Sequence, residues 1–168
     1  GIPLNAPVLL CTGDHPLLRG AWLRQFLGRA ERCGADAVVG LVDWQRVKQR
    51  FPDNRRTRYR FSDAGVCGTN LFYFSNARGR RIAEVWRKFE SDRKRPWKIV
   101  ARLGWWNLLR YRLGRLELGQ ALAALSKRFG IRLDAVLIDD PLACVDVDSA
   151  HDLELVTGLL ANRPGNAE

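Results

Sequence analysis

Long apolar runs are missing from this chain: no stretch approaches the roughly 20 residues that a membrane-spanning helix requires. No apolar leader precedes the first predicted strand either, so the expectation is a cytoplasmic chain without a transmembrane segment. Cysteine is scarce, and Cys11, Cys33, Cys67 and Cys144 lie far apart with no C-x-x-C spacing. That argues against a zinc site or a redox motif and for buried free thiols in a reducing compartment. Cys11 with His15 offers two ligands, too few for a metal. Neither His15 nor His151 has a serine or cysteine nucleophile paired with it in sequence. Internal repeats, low-complexity segments and linkers are absent, so 168 residues fit one domain over 1–161 and a short tail over 162–168. Acidic charge is also short: 28 Lys+Arg against 18 Asp+Glu leave +10 at pH 7. Such an excess favours nucleic acid, acidic lipid or phosphorylated small molecules without choosing among them, and it equally suits Arg-rich solvated helices.

What is present reads as a globular α/β chain, 46% hydrophobic and 27% charged. Residues 7–12, "PVLLCT", form a short apolar run ended by Gly13, the pattern of a strand buried on both faces. Pro16 stands at a predicted first helical turn, after which Trp22, Leu23, Phe26 and Leu27 recur at helical spacing up to Cys33-Gly34. Residues 35–41 form a second strand, so the sheet is at least partly parallel. Residues 43–63 turn polar and basic, with a short helix, a turn at Pro52-Asp53-Asn54 and an exposed strand "TRYRF". A strand at 68–74 leads into a helix capped by Ser75 or Asn76, with Ile82, Val85, Trp86 and Phe89 on one face. Helices broken at Pro96, Gly104 and near Gly114 follow, the last carrying Leu118, Leu122, Leu125 and Phe129. Strands at 132–138 and 142–147 and a helix capped by Ser149 complete the chain. The fold class expected is a mixed, mostly parallel sheet flanked by helices, with a helical insertion around 77–129.

In open α/β sheets, ligands bind beyond the carboxyl ends of strands. Asp14 stands at such an end, where a carboxylate also serves as a helix cap or dipole partner. Asp146 and Asp148 alternate at the end of another predicted strand, which directs both to one face. Acids converging from two strand ends would make a hard-oxygen site of the kind Mg²⁺ takes.

The segments "VLLCTGDHPLL", "GVCGTNLFYF" and "VDVDSAHDL" together resemble the MobA-like nucleotidyltransferases, a family with the nucleotide-diphospho-sugar transferase (GT-A type) fold. The resemblance implies Mg²⁺-dependent transfer of a nucleotidyl group from an NTP to a phosphorylated small-molecule acceptor, with release of pyrophosphate. It implies Asp14, Asp146 and Asp148 as metal ligands, with Gly68, Thr69 and Asn70 on the acceptor side. His15, beside Asp14, is a further substrate-binding candidate or a structural residue of the helix entry, and Asp152 falls in the first turn of the last helix. The family's glycine-rich basic loop, L-A-A-G-x-G-x-R, has no counterpart here. The expectation is therefore the acceptor-side and metal-side part of a larger unit: a fragment missing its N-terminal half, a chain that has lost its nucleotide half, or one whose nucleotide half a separate chain supplies. A sheet cut there exposes an unpaired strand edge, which suits a paired or swapped homodimer.

Lys94, Arg95 and Lys98 flank Pro96-Trp97 before a helix and could clamp an acceptor phosphate; a solvated surface explains them too. "RRTRYRF" interleaves arginine with aromatics, as stacking on single-stranded nucleic acid requires, although a charge-protected edge strand fits equally. Trp105-Trp106 suits helix packing or a lipid interface. Two rival readings follow: a non-catalytic basic module binding nucleic acid or a membrane surface, and a glycosyltransferase using a nucleotide sugar. The latter would carry its D-x-D after the middle strand, where this chain has the single Asp14.

Overall fold

A computed structural model of the chain describes Pro3 and residues 5–53, 56–90 and 104–162, without the side chains of 84–90. Its strands are β1 (Val8–Cys11), β2 (Ala37–Asp43), β3 (Tyr59–Arg60), β4 (Gly65–Phe74) and β5 (Leu133–Ile138). Its helices are α1 (Gly20–Cys33), α2 (Trp44–Arg50), α3 (Ala77–Glu90), α4 (Trp105–Arg112), α5 (Leu118–Phe129) and α6 (Ala150–Ala161), with a 3₁₀ turn at Pro141–Cys144.

The strands join in one mixed sheet of order β1-β4-β2-β5, with β3 also beside β4. β4 is antiparallel to β1, β2 and β3, whereas β2 and β5 are parallel. Every strand but β4 thus runs the same way, yet β4 separates β1 from β2 and opens the simple strand–helix–strand unit that the sequence suggests. Because β2 takes one edge of β4, β1 and β3 share the other, at opposite ends. β1 is consequently an edge strand, not one buried on both faces, and Leu10 and Cys11 are exposed. Cys67 and Cys144 are buried and Cys33 half-buried.

Period-two alternation sorts the apolar side chains between two layers. Val38, Val42, Leu71, Tyr73, Val136 and Ile138 pack with Trp22, Phe26 and Ala30 of α1 and Val156 of α6. Burial of Phe26, which is fully enclosed, contributes about 1.5–3 kcal/mol. On the other face Ala37, Phe74 and Ile82 cluster, with Phe129 and Leu133 against them. There α3 approaches the chain so closely that a Cβ on Gly79 would lie 1.9 Å from the Asp36 carbonyl oxygen. Asn76 caps that helix, its Oδ1 accepting from the Gly79 N–H at 3.0 Å. A third cluster, Leu116 and Ala121 with Phe61, Leu108 and Tyr111, ties α4 and α5 to the β3–β4 hairpin.

Two expected elements take other forms. Residues 142–147 are a 3₁₀ turn followed by chain that joins no strand of the sheet, because Pro141 begins the turn without an N–H and the Asp140 carboxylate accepts from the Leu142 N–H at 2.9 Å. Helix α1 starts at Gly20 rather than beside Pro16, since the Leu18 N–H closes a turn onto the His15 carbonyl at 3.1 Å. Pro96 and the side chains of Val85, Trp86 and Phe89 lie outside the described residues. No helix among the described residues is long and apolar enough to cross a membrane.

Candidate metal centre

Asp14 follows β1 in the turn that leads to α1, and the Thr12 hydroxyl donates to its Oδ1. The Val147 N–H donates to the Asp14 carbonyl oxygen at 2.9 Å, which fastens the loop before α6 to the end of β1. Val145, extended and fully buried, anchors that loop from below. Asp146 stays half-buried and Asp148 reaches solvent. One carboxylate oxygen from each of Asp14, Asp146 and Asp148 can be chosen so that all three lie within 4.8 Å of one another. The cluster stands beyond the carboxyl end of β1, where an α/β sheet places its ligands. Three hard oxygen donors, partly open to water, suit a divalent cation such as Mg²⁺.

Asp146 is gripped from two sides. The Asn70 amide donates to its Oδ2 at 3.0 Å. Asn70 has φ 56°, in the left-handed region that asparagine tolerates better than most side chains. It sits in β4 beside the register shift between Val39 and Leu41 of β2. From the other side, Arg56 forms an ion pair with Asp146 Oδ1. The same guanidinium donates to the Cys144 carbonyl at 2.6 Å, the Asp146 carbonyl at 3.2 Å and Asp152 Oδ1 at 3.3 Å. Burial opposes the Arg56 charge, but Cys144 and Asp146 outweigh it and raise its pKa. Burial alone would also raise the Asp152 carboxyl, yet the Ser149 hydroxyl and Arg56 hold it below the usual carboxylate range. Beneath the loop, a hydrogen bond between the buried Cys67 and Cys144 thiols pushes Cys67 up and Cys144 down.

The other predicted residues divide. Asn70 joins the site through Asp146. Gly68 faces open space, with nothing within 4 Å of an added Cβ. Thr69 is buried, its hydroxyl 2.4 Å from where a Cβ on Gly40 would lie. His15 is buried with Nε2 2.8 Å from the Ala143 carbonyl oxygen, and its ring stands edge-on to Trp22 at 6.1 Å, so it holds the 3₁₀ turn in place. Asp152 lies in the first turn of α6, as expected. Lys94, Arg95 and Lys98 lie outside the described residues. Within "RRTRYRF", Arg56 turns inward to the carboxylates, Arg58 lies over the Trp44 ring at 5.8 Å and Phe61 meets Tyr111 edge-on at 5.8 Å. The sequence reading missed Arg56; the available signal was charge, since four clustered carboxylates call for a cation.

No family model and no curated protein matches the chain. It is similar to a solved structure described as a hypothetical transferase from Thermus thermophilus, with 34% identity and a TM-score of 0.74. This chain has a transferase-like fold. The match covers 89% of this chain and 64% of that one, so the chain spans less than two-thirds of its neighbour's length.

Proposed function

We propose that the chain carries the metal-holding carboxylates and the acceptor side of a Mg²⁺-dependent nucleotidyltransferase of the MobA-like, GT-A type. The observation that carries this reading is the convergence of Asp14, from the end of β1, with Asp146 and Asp148, from the loop before α6. The similar fold of a hypothetical transferase adds to it.

Asp14, Asp146 and Asp148 would hold Mg²⁺, which when bound neutralises charge on substrate phosphates. Thr12 fixes the Asp14 carboxylate, while Asn70 and Arg56 fix that of Asp146, so the donors are oriented before any ligand arrives. Arg56 also offsets the repulsion among the acids. Gly68, two residues from Asn70 along β4, has open space around it for an acceptor. An acceptor phosphate oxygen attacks the α-phosphorus of the NTP, the bond to the bridging oxygen breaks, and pyrophosphate leaves. The chain positions the reactants and needs no side-chain nucleophile.

The test is a transfer assay with each NTP labelled at the α-phosphate, Mg²⁺ and a panel of phosphorylated small molecules, read alongside Mg²⁺-dependent thermal stabilisation by the same compounds. Label transfer or Mg²⁺-dependent stabilisation, lost in Asp14→Asn, supports the reading. Neither transfer nor stabilisation across the panel overturns it.

A further inference from the structure

Helix α4 leaves an apolar stripe uncovered. Trp105, Trp106 and Leu113 are 74%, 58% and 57% exposed, and Leu109 lies between them at 41%. At 3.6 residues per turn these four occupy one sector of about 100°. By the same helical spacing Arg110 flanks the sector on one side and Arg112 on the other. The opposite face is anchored: Leu108 and Tyr111 pack on Leu116 and Ala121, and the Tyr111 hydroxyl accepts from the Arg60 N–H at 3.1 Å. The stripe therefore points away from the body of the protein. Single exposed apolar residues are ordinary, but four on two turns, two of them tryptophan, form a patch.

Charge selects the occupant. Between Gly104 and Leu116 the sequence has three basic residues, Arg110, Arg112 and Arg115, and no acidic one. A symmetric contact between two copies would press these arginines against each other, which is unfavourable. Nucleic acid would satisfy the arginines but set Leu109 and Leu113 against phosphate. A bilayer with anionic headgroups satisfies both, since indole rings favour the headgroup level and arginines pair with lipid phosphates. We propose that α4 is an interfacial anchor that docks the protein on an anionic phospholipid surface, with Trp105, Trp106, Leu109 and Leu113 inserted and the flanking arginines on the headgroups. The sheet register sets this helix at the end of the molecule that carries the carboxylates: Arg60 pairs with Gly65, and Val66 with Asp43 at the end of β2.

Co-sedimentation of the purified protein with vesicles of phosphatidylcholine alone, or with added phosphatidylglycerol, tests this at low and high salt. Expected is pelleting with the phosphatidylglycerol vesicles, a blue shift of tryptophan emission, and weakening by salt. The double variant Trp105→Ser/Trp106→Ser should lose at least about tenfold in binding, equivalent to 1.4 kcal/mol. Both side chains are exposed, and circular dichroism verifies the fold of the variant. No pelleting with either vesicle, or unchanged binding by the variant, overturns the proposal. So does a dimer seen by light scattering, or oligonucleotide binding, that the double variant abolishes while vesicle binding persists.

Discussion

Arg56→Met should be among the most destabilising single changes at this end of the sheet. The Arg56 side chain is 10% exposed, and its partners Asp146 and Asp152 are 17% and 21% exposed. Removing one member of a buried ion pair costs about 3–5 kcal/mol, because the charge left behind is uncompensated. Here the carboxylates keep some solvent, and Asn70 still donates to Asp146, so the lower end, about 3 kcal/mol, is expected. For a chain of this size that corresponds to a fall in Tm of roughly 6–12 °C. The assay is urea unfolding with thermal melting as a second readout. Arg56→Lys should recover little, since one ammonium cannot reach the Cys144 carbonyl, both Asp146 acceptors and Asp152 together. Adding Asp152→Asn to Arg56→Met should restore part of the loss, with a coupling of about 0.5–3 kcal/mol. A variant within about 0.5 kcal/mol of wild type, the range of ordinary surface substitutions, would refute the reasoning.

Acid should destabilise the fold through at least two carboxyls. The Arg132 N–H and the Asn76 amide lower the pKa of Asp36, while the Ser149 hydroxyl and Arg56 overcome burial to lower that of Asp152. A carboxyl depressed in the folded state adds stability above its unfolded pKa of about 3.9 and loses it as pH falls through the folded value. Urea midpoints should therefore decline below about pH 4, and Asp36→Asn should flatten the decline; parallel profiles would contradict this. Asn70→Gly tolerates φ 56° but removes the amide from Asp146, and should weaken Mn²⁺ binding about 10–100-fold in a fluorescence or calorimetric titration. Gly79→Ala sets a methyl 1.9 Å from backbone that cannot yield, so its cost, measured by thermal melting, should reach the upper end of the ~1–3 kcal/mol for overpacking.

Much of the architecture was legible because its signals are local. Gly34 and Gly130 end α1 and α5 in left-handed conformations, and Ser149 caps α6, as their residue types indicate. The apolar runs of β2 and β4 reflect neighbours on both edges. The place of β4 between β1 and β2 was not legible, because strand order depends on pairings far apart in sequence that leave no periodicity. For the same reason the two-sided apolar run of β1 concealed an edge strand. At the carboxylates, Asp14, Asp146 and Asp148 stood out by position at segment ends, and their approach agrees with the alternation read at 145–148, although no strand carries it. Arg56 lay hidden in a basic run in which one arginine turns inward, and nothing local separates it from Arg58 or Arg60. His15, adjacent to Asp14, buries its ring instead, a choice made by the Ala143 carbonyl on a distant turn.

The central claim is that Asp14, Asp146 and Asp148 hold one divalent cation, and titration of Mn²⁺ followed by electron paramagnetic resonance tests it most directly. Mn²⁺ stands in for Mg²⁺ at oxygen sites. One saturable site per chain, displaced by Mg²⁺ and lost in Asp14→Asn and Asp148→Asn with little change in thermal melting, is the predicted result. No saturable site in the wild-type protein, or equal binding by both variants, would contradict the account.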